Sequence, residues 1–145
     1  MNLNDFKKAL DFTLQWEGGY VDDPDDKGGE TKWGISKRAY PEVDIKNLTR
    51  EEALRIYQRD YWIAAGCDSL SYPMNVVVFD SAVNCGVARA KAWLRASETP
   101  EEVIQLRKEF YVDLVRKNPA QRKFLRGWAW RVIDLQKIVI ISKQV

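Results

Sequence analysis

The sequence predicts an α+β fold that is mostly α, with one small β-hairpin. Apolar residues recur at helical spacing through most of the chain, and helix start signals stand at Thr49, Thr99 and Asn118. A single dense cluster of turn formers interrupts the pattern between residues 22 and 29. With 145 residues, of which 46% are hydrophobic and 30% charged, the chain has the make-up of one domain with an ordinary apolar core. Such a chain needs neither a disulfide nor a metal to fold.

The first helix is predicted over residues 3–17, because Leu3, Phe6, Leu10, Leu14 and Glu17 follow one another at steps of three and four and so share a face. Glu17 closes an apolar stripe, and Gly18-Gly19 supply a left-handed cap. Burial and the negative end of the helix dipole both disfavour an ionised carboxyl there, so its pKa is expected to rise and Glu17 is a candidate general acid. The competing reading is a surface glutamate at a frayed helix end. After Tyr20-Val21 the run Asp22-Asp23-Pro24-Asp25-Asp26-Lys27-Gly28-Gly29 predicts a hairpin, with Thr31-Lys32-Trp33-Gly34-Ile35 as its returning strand. Its acidic residues lack the spacing of a Ca²⁺ loop.

Thr49-Arg50-Glu51-Glu52 forms a capping box for a helix carrying Ala53, Leu54, Tyr57 and Tyr61, which Gly66 stops. Pro73 opens a helix that is apolar on nearly every side up to Asn84 and the capping Gly86, and such a helix is central. Asp80 and Asn84, one turn apart on it, either lock helices together internally or line the base of a groove. A further helix spans 87–96. Thr99-Pro100-Glu101-Glu102 launches another to about residue 117, and the last carries Phe124, Leu125, Trp128, Val132 and Leu135, broken or bent near Gly127.

Several chemistries are excluded by what the chain lacks. It has no His, which removes Ser-His and Cys-His triads and argues against catalytic zinc. Cys67 and Cys85 are too few for a disulfide framework and form no CxxC pair. No metal or cofactor is expected, and acid/base work falls to carboxylates. Net charge is +2 but uneven: residues 1–30 carry three Lys/Arg and eight Asp/Glu, residues 101–145 ten and five. The basic tail carries no recognised nucleic-acid motif, so nucleic acid is not an expected partner, and no stretch approaches the roughly 20 apolar residues of a membrane span.

Glu17-Gly18-Gly19-Tyr20 followed by Asp22-Asp23-Pro24-x-Asp26-x-Gly28-Gly29-x-Thr31-x-x-Gly34-Ile35 resembles the signature of glycoside hydrolase family 108, the EGGY-motif N-acetylmuramidases of phages and bacteria. The resemblance continues in Glu52-Ala53, Ile56-Tyr57, Tyr61-Trp62, Phe79-Asp80, Ala82-Val83-Asn84-x-Gly86, Arg107 to Tyr111, and Phe124-Leu125-x-Gly127-Trp128 with Arg131-Val132. It implies a lysozyme-like helical domain whose hairpin lies near the active site. Residues 1–90 would form the catalytic lobe and residues 91–145 a helical lobe of peptidoglycan-binding type, packed as one compact unit.

By this resemblance Glu17 is the catalytic acid in cleavage of the β-1,4 bond between N-acetylmuramic acid and N-acetylglucosamine. Asp26 would stabilise charge or position water, and Thr31 would hold that water. Related phage-type lysozymes follow E-x₈-D-x₅-T; here Glu17 to Asp26 keeps eight intervening residues, whereas Asp26 to Thr31 has four. Analogy with those enzymes favours inversion at the anomeric carbon. Tyr20 and Trp33 would flank the sugar, and Tyr57, Asp80 and Asn84 complete the expected substrate-binding set. Peptidoglycan glycan strands are the expected partner and a monomer the expected state. The start of the chain lacks the marks of a signal peptide, so the expectation is synthesis in the bacterial cytoplasm and holin-assisted release to the wall, as for an endolysin. A lytic transglycosylase and a non-catalytic wall-binding or secretion-activating protein remain the alternatives.

Overall fold

The computed structural model describes residues 3–22, 24 and 29–144. Among these residues, six α-helices pack around a core centred on the third, and one two-stranded antiparallel sheet lies beside the end of the first. In order they are α1 (Leu3–Trp16), β1 (Thr31–Lys32), β2 (Ile35–Ser36), α2 (Arg50–Tyr57), α3 (Met74–Cys85), α4 (Val87–Arg95), α5 (Pro100–Lys117) and α6 (Leu125–Ser142). A π-helical turn, Gln58–Ile63, extends α2, and 3₁₀ turns occupy Cys67–Ser69 and Pro119–Phe124.

Local signals account for the helix boundaries. Thr49 Oγ1 accepts from Glu52 N at 3.2 Å and the Glu52 carboxylate accepts from Thr49 N, so both halves of the capping box form. Thr99 Oγ1 accepts from Glu102 N at 3.2 Å and caps α5, the Glu102 carboxylate accepts from Glu98 N, and Pro100 takes the first helical position. Gly66 and Gly86 hold φ of 79° and 101°, backbone that a side chain at either position would strain. Two expectations change. Gly18 and Gly19 do not take left-handed backbone; the Gly18 carbonyl instead accepts from Trp33 N at 3.0 Å, so the sheet region closes the end of α1. Gly127 lies inside the first turn of α6, which runs unbroken from Leu125 to Ser142, and the break in the α-helical pattern falls before it, in the 3₁₀ turn.

The helix read as apolar all round is central: every residue of α3 from Asn75 to Ala82 is buried. Phe79 meets Phe6, Tyr57 and Trp62 edge-on at centroid distances of 5.9, 6.1 and 5.7 Å. On α1 the buried face is Phe6, Ala9, Leu10, Phe12 and Thr13; Leu3, counted into the stripe from its spacing, is exposed at the start of the helix.

Asp80 of α3 is fully enclosed, and three helices supply its partners. Arg107 Nη1 from α5 lies 2.9 Å from Oδ2, Arg131 Nη2 from α6 lies 2.7 Å from Oδ1, and Thr13 Oγ1 from α1 donates to Oδ1 at 2.8 Å. Burial alone pushes the Asp80 carboxyl up, but the two guanidinium groups outweigh it and hold the group below its ordinary value of 3.8. Residue 90, the division expected between lobes, falls inside α4, and the Asp80 cluster joins helices from both sides of it. Among the described residues, no helix is long and apolar enough to cross a membrane.

A buried carboxylate paired with two arginines makes a pH-dependent contribution whose sign follows from the lowered pKa. The contribution is complete above the unfolded-state value and is lost as pH falls through the lower folded-state value. Asp80→Asn leaves two buried cations short of an anion and is expected to cost about 3–5 kcal/mol at pH 7. Urea titrations of both proteins check this: the gap should narrow as pH falls below the ordinary aspartate value of 3.8, where the unfolded chain takes up a proton that folded Asp80 resists.

Candidate active site

Glu17 follows the last residue of α1, its N–H still bonded to the Thr13 carbonyl at 3.2 Å. The chain then runs beside the segment that carries the sheet. Val21 and Thr31 exchange two backbone hydrogen bonds of 2.8 Å, a single bridge of the hairpin expected from sequence. The expected returning strand is itself folded back. Thr31 pairs with Ser36 and Lys32 with Ile35, and Trp33-Gly34 form the two-residue turn with φ of 48° and 75°. Two positive φ values in succession match the sense of a hairpin's twist, and glycine supplies the second without strain.

Gly34 is needed for a further reason. A Cβ there would lie against the Tyr57 hydroxyl and within 3.0 Å of Glu17 Oε2 and 3.1 Å of Glu17 Cγ. The turn therefore packs directly on the Glu17 carboxyl, and Tyr57 Oη donates to the Trp33 carbonyl from the other side. Burial, with the charge of Glu17 added, pushes the Tyr57 hydroxyl above the usual phenol range and keeps it a donor.

Arg131 completes the surroundings of Glu17. Its Nη1 donates to Glu17 Oε1 at 3.1 Å while Nε and Nη2 engage Asp80, so one guanidinium serves both carboxylates. Burial works against its charge, yet Asp80 and then Glu17 drive its pKa up, and it stays cationic. Glu17 is partly open, its side chain 22% exposed, and lines a cleft of about 360 Å³. Trp16 and Asn84 share this lining with Arg131, together with Lys123, Phe124, Gly127 and Trp128 from the start of α6 and the turn before it. Trp128 stacks on Tyr111 with centroids 4.7 Å apart and planes 11° from parallel. Two apolar depressions along the α5–α6 groove contain none of the residues expected at the site.

The residues expected at the site divide into several groups. Glu17 and Asn84 line the cleft. Thr31 is half-buried on β1, tied by backbone to the segment after Glu17. Trp33 is half-buried in the turn, with Lys32 Nζ 5.1 Å above its ring. Tyr20 is exposed and donates to Glu30 at 2.7 Å, which pushes its hydroxyl up to about 12. Tyr57 and Asp80 are 1% and 0% exposed, so neither offers a surface to a sugar. They are corrected from substrate contacts to supports, Tyr57 beneath the turn and Asp80 behind Arg131, because each is sealed by the core it bonds to. Asp26 lies outside the described residues. Sequence reasoning assigned no role in the chemistry to Arg131 or Trp16. The available signal for Arg131 was its place on the apolar face of α6, one turn after Trp128 and one before Leu135, where an arginine needs a buried anion.

A helix-end glutamate, a small sheet packed on its carboxyl and an aromatic-lined cleft come together in a mostly α, lysozyme-like fold, an arrangement suited to carboxylate acid/base chemistry. Residues 10–86 match the model of the family described as glycosyl hydrolase 108, and the chain belongs to that family. The fold is similar to that in the structure of SagA from Brucella abortus, with a TM-score of 0.75 and 25% sequence identity over 92% of each chain. None of the curated proteins matches.

Gly34→Ala tests the packing of the turn on Glu17. The left-handed backbone alone is expected to cost about 1–2 kcal/mol, with further loss from the contacts with Tyr57 and Glu17. Gly18→Ala, with open space around it and no positive φ, should change stability by less than about 1 kcal/mol. Denaturant titration of the two variants separates the cases.

Proposed function

We propose that this glycosyl hydrolase cleaves peptidoglycan at the β-1,4 bond between N-acetylmuramic acid and N-acetylglucosamine, with Glu17 as general acid. The observation that carries the reading is the placement of Glu17, open to the cleft on one side and held by Arg131 and the Gly34 turn on the others. A proton donor at a glycosidic oxygen becomes a carboxylate as the bond breaks. Arg131 Nη1 meets the carboxylate left behind without any rearrangement, and this favours the charge-separated stage of the reaction. Asp26 is proposed as the second carboxylate and Thr31 as the holder of the attacking water, with inversion of configuration.

Residues 91–145 are proposed to hold the glycan from the side opposite the sheet. Phe124 and Trp128 offer ring surface to a sugar, and Lys123 a cation to the anionic wall. The exposed Arg116, Lys117 and Arg122 extend that basic face. In the cell the proposed role is wall lysis by a monomeric, endolysin-type protein made in the cytoplasm and released with the help of a holin.

Two measurements on purified peptidoglycan test the reading. Glu17→Gln should lower turnover by about 10²–10⁴-fold while remaining folded, as loss of a general acid does; a folded variant clearing wall at the wild-type rate would refute the role. Mass spectrometry of the released fragments should show free reducing ends, whereas 1,6-anhydro ends would identify a transglycosylase instead.

A further inference from the structure

The cleft beside Glu17 carries hydrogen-bond donors that no group among the described residues accepts. Asn84, near the end of α3, is the clearest case. Its side-chain oxygen accepts from Tyr111 Oη, from Cys85 Sγ at 3.2 Å and from Arg107 Nη2 at 3.4 Å. A guanidinium donates and never accepts, so the oxygen of Asn84, and not its NH₂ group, must face Arg107. Tyr111 is oriented as well: its oxygen accepts from Arg107 Nε at 2.8 Å, which leaves its proton for Asn84. Turning the amide over would set N–H against N–H, so the direction of its NH₂ group is fixed by the buried cluster behind it.

No acceptor among the described residues takes those two hydrogens, and Asn84 lines the cleft. Trp16, in the same lining, has an indole N–H that is buried without an acceptor. Trp128, held against Tyr111 by stacking, adds apolar ring surface to the cleft that the amide lines. A preset donor with an aromatic ring nearby fits a ligand group that has one strong acceptor oxygen and a small apolar end.

We infer that Asn84 is a specificity-determining residue that donates to the carbonyl oxygen of a 2-acetamido sugar, with the acetyl methyl group against the Trp128 ring. The inference rests on the assignment of the Glu17 cleft as the glycan site, and it names the group on the sugar that the cleft reads. A sugar bearing an amine at that carbon brings an ammonium, which has donors only and leaves the Asn84 NH₂ unpaired. A site built around a donor discriminates strongly against a ligand that lacks the acceptor.

The test measures turnover of the whole protein on purified peptidoglycan, on the same material after N-deacetylation, and on the deacetylated material after re-acetylation with acetic anhydride. Wild type should slow about 10-fold on deacetylation and recover on re-acetylation, as the loss of one buried hydrogen bond predicts. Asn84→Asp keeps an acceptor for Tyr111 and Arg107 but removes the donor. It should be folded by circular dichroism, slower than wild type on acetylated wall, and nearly indifferent to acetylation. Asn84→Ala should show the same indifference without the added charge. A wild-type preference retained in either folded variant overturns the inference while leaving the hydrolase assignment standing, and so does a wild type with no preference. A wild type that cleaves none of the three substrates removes both.

Discussion

Two arginines and an aspartate with almost no access to water hold this molecule's functional parts in register. Asp80 on the central helix draws Arg107 from α5 and Arg131 from α6, and Thr13 of α1 closes the set. Taking such charges out of water is costly, and only close, multiple contacts offset it. Arg131 therefore has little freedom, and the one nitrogen it has to spare is delivered to Glu17. The position of the proposed acid is thus set from residues far away in the chain, through a cation that would otherwise be placed by a flexible stem.

The same economy appears on the opposite side of Glu17. The turn at Trp33-Gly34 approaches the carboxyl so closely that a single methyl group would displace it, and Tyr57 fixes that turn from beneath. Rigid elements on two sides and an open cleft on the third let a carboxyl meet a ligand without first being ordered, which saves the entropy of positioning it. Asn84 repeats the arrangement on a smaller scale, its oxygen held by the Arg107–Tyr111 pair and its nitrogen left to the cleft.

How much of this was legible in the sequence depends on the range of the interaction. Thr49 and Glu52, three residues apart, announce their helix start because the whole interaction is local, and both bonds form. The apolar surroundings of Val76, Val77 and Val78 mark α3 as central for the same reason. Glu17 was readable as a helix-end carboxylate, and the motif around it carried the family. The Glu17–Arg131 pair spans 114 positions, and no periodicity can show which distant cation a carboxylate meets. Glycines mislead similarly. Gly18 and Gly19 looked like the cap, yet the constraint falls on Gly34, where the neighbours that forbid a side chain come from elsewhere in the chain. Tyr57 and Asp80 matched the motif as faithfully as Asn84 did, but burial, a tertiary property, divides them into supports and cleft lining.

The π-helical turn at Gln58–Ile63 settles a conflict of register. Tyr57 and Trp62 both point into the core and both meet Phe79, although they are five residues apart. On a regular α-helix five steps leave two side chains about 140° out of line. A turn closed by i→i+5 bonds is wider by one residue and brings the two onto one side. The surplus residue behaves as an insertion absorbed within the helix and not in a loop. Removing one residue from that turn would leave the length of the flanking segments unchanged, yet it would force a choice between the ring that props the active-site turn and the ring that fills the centre.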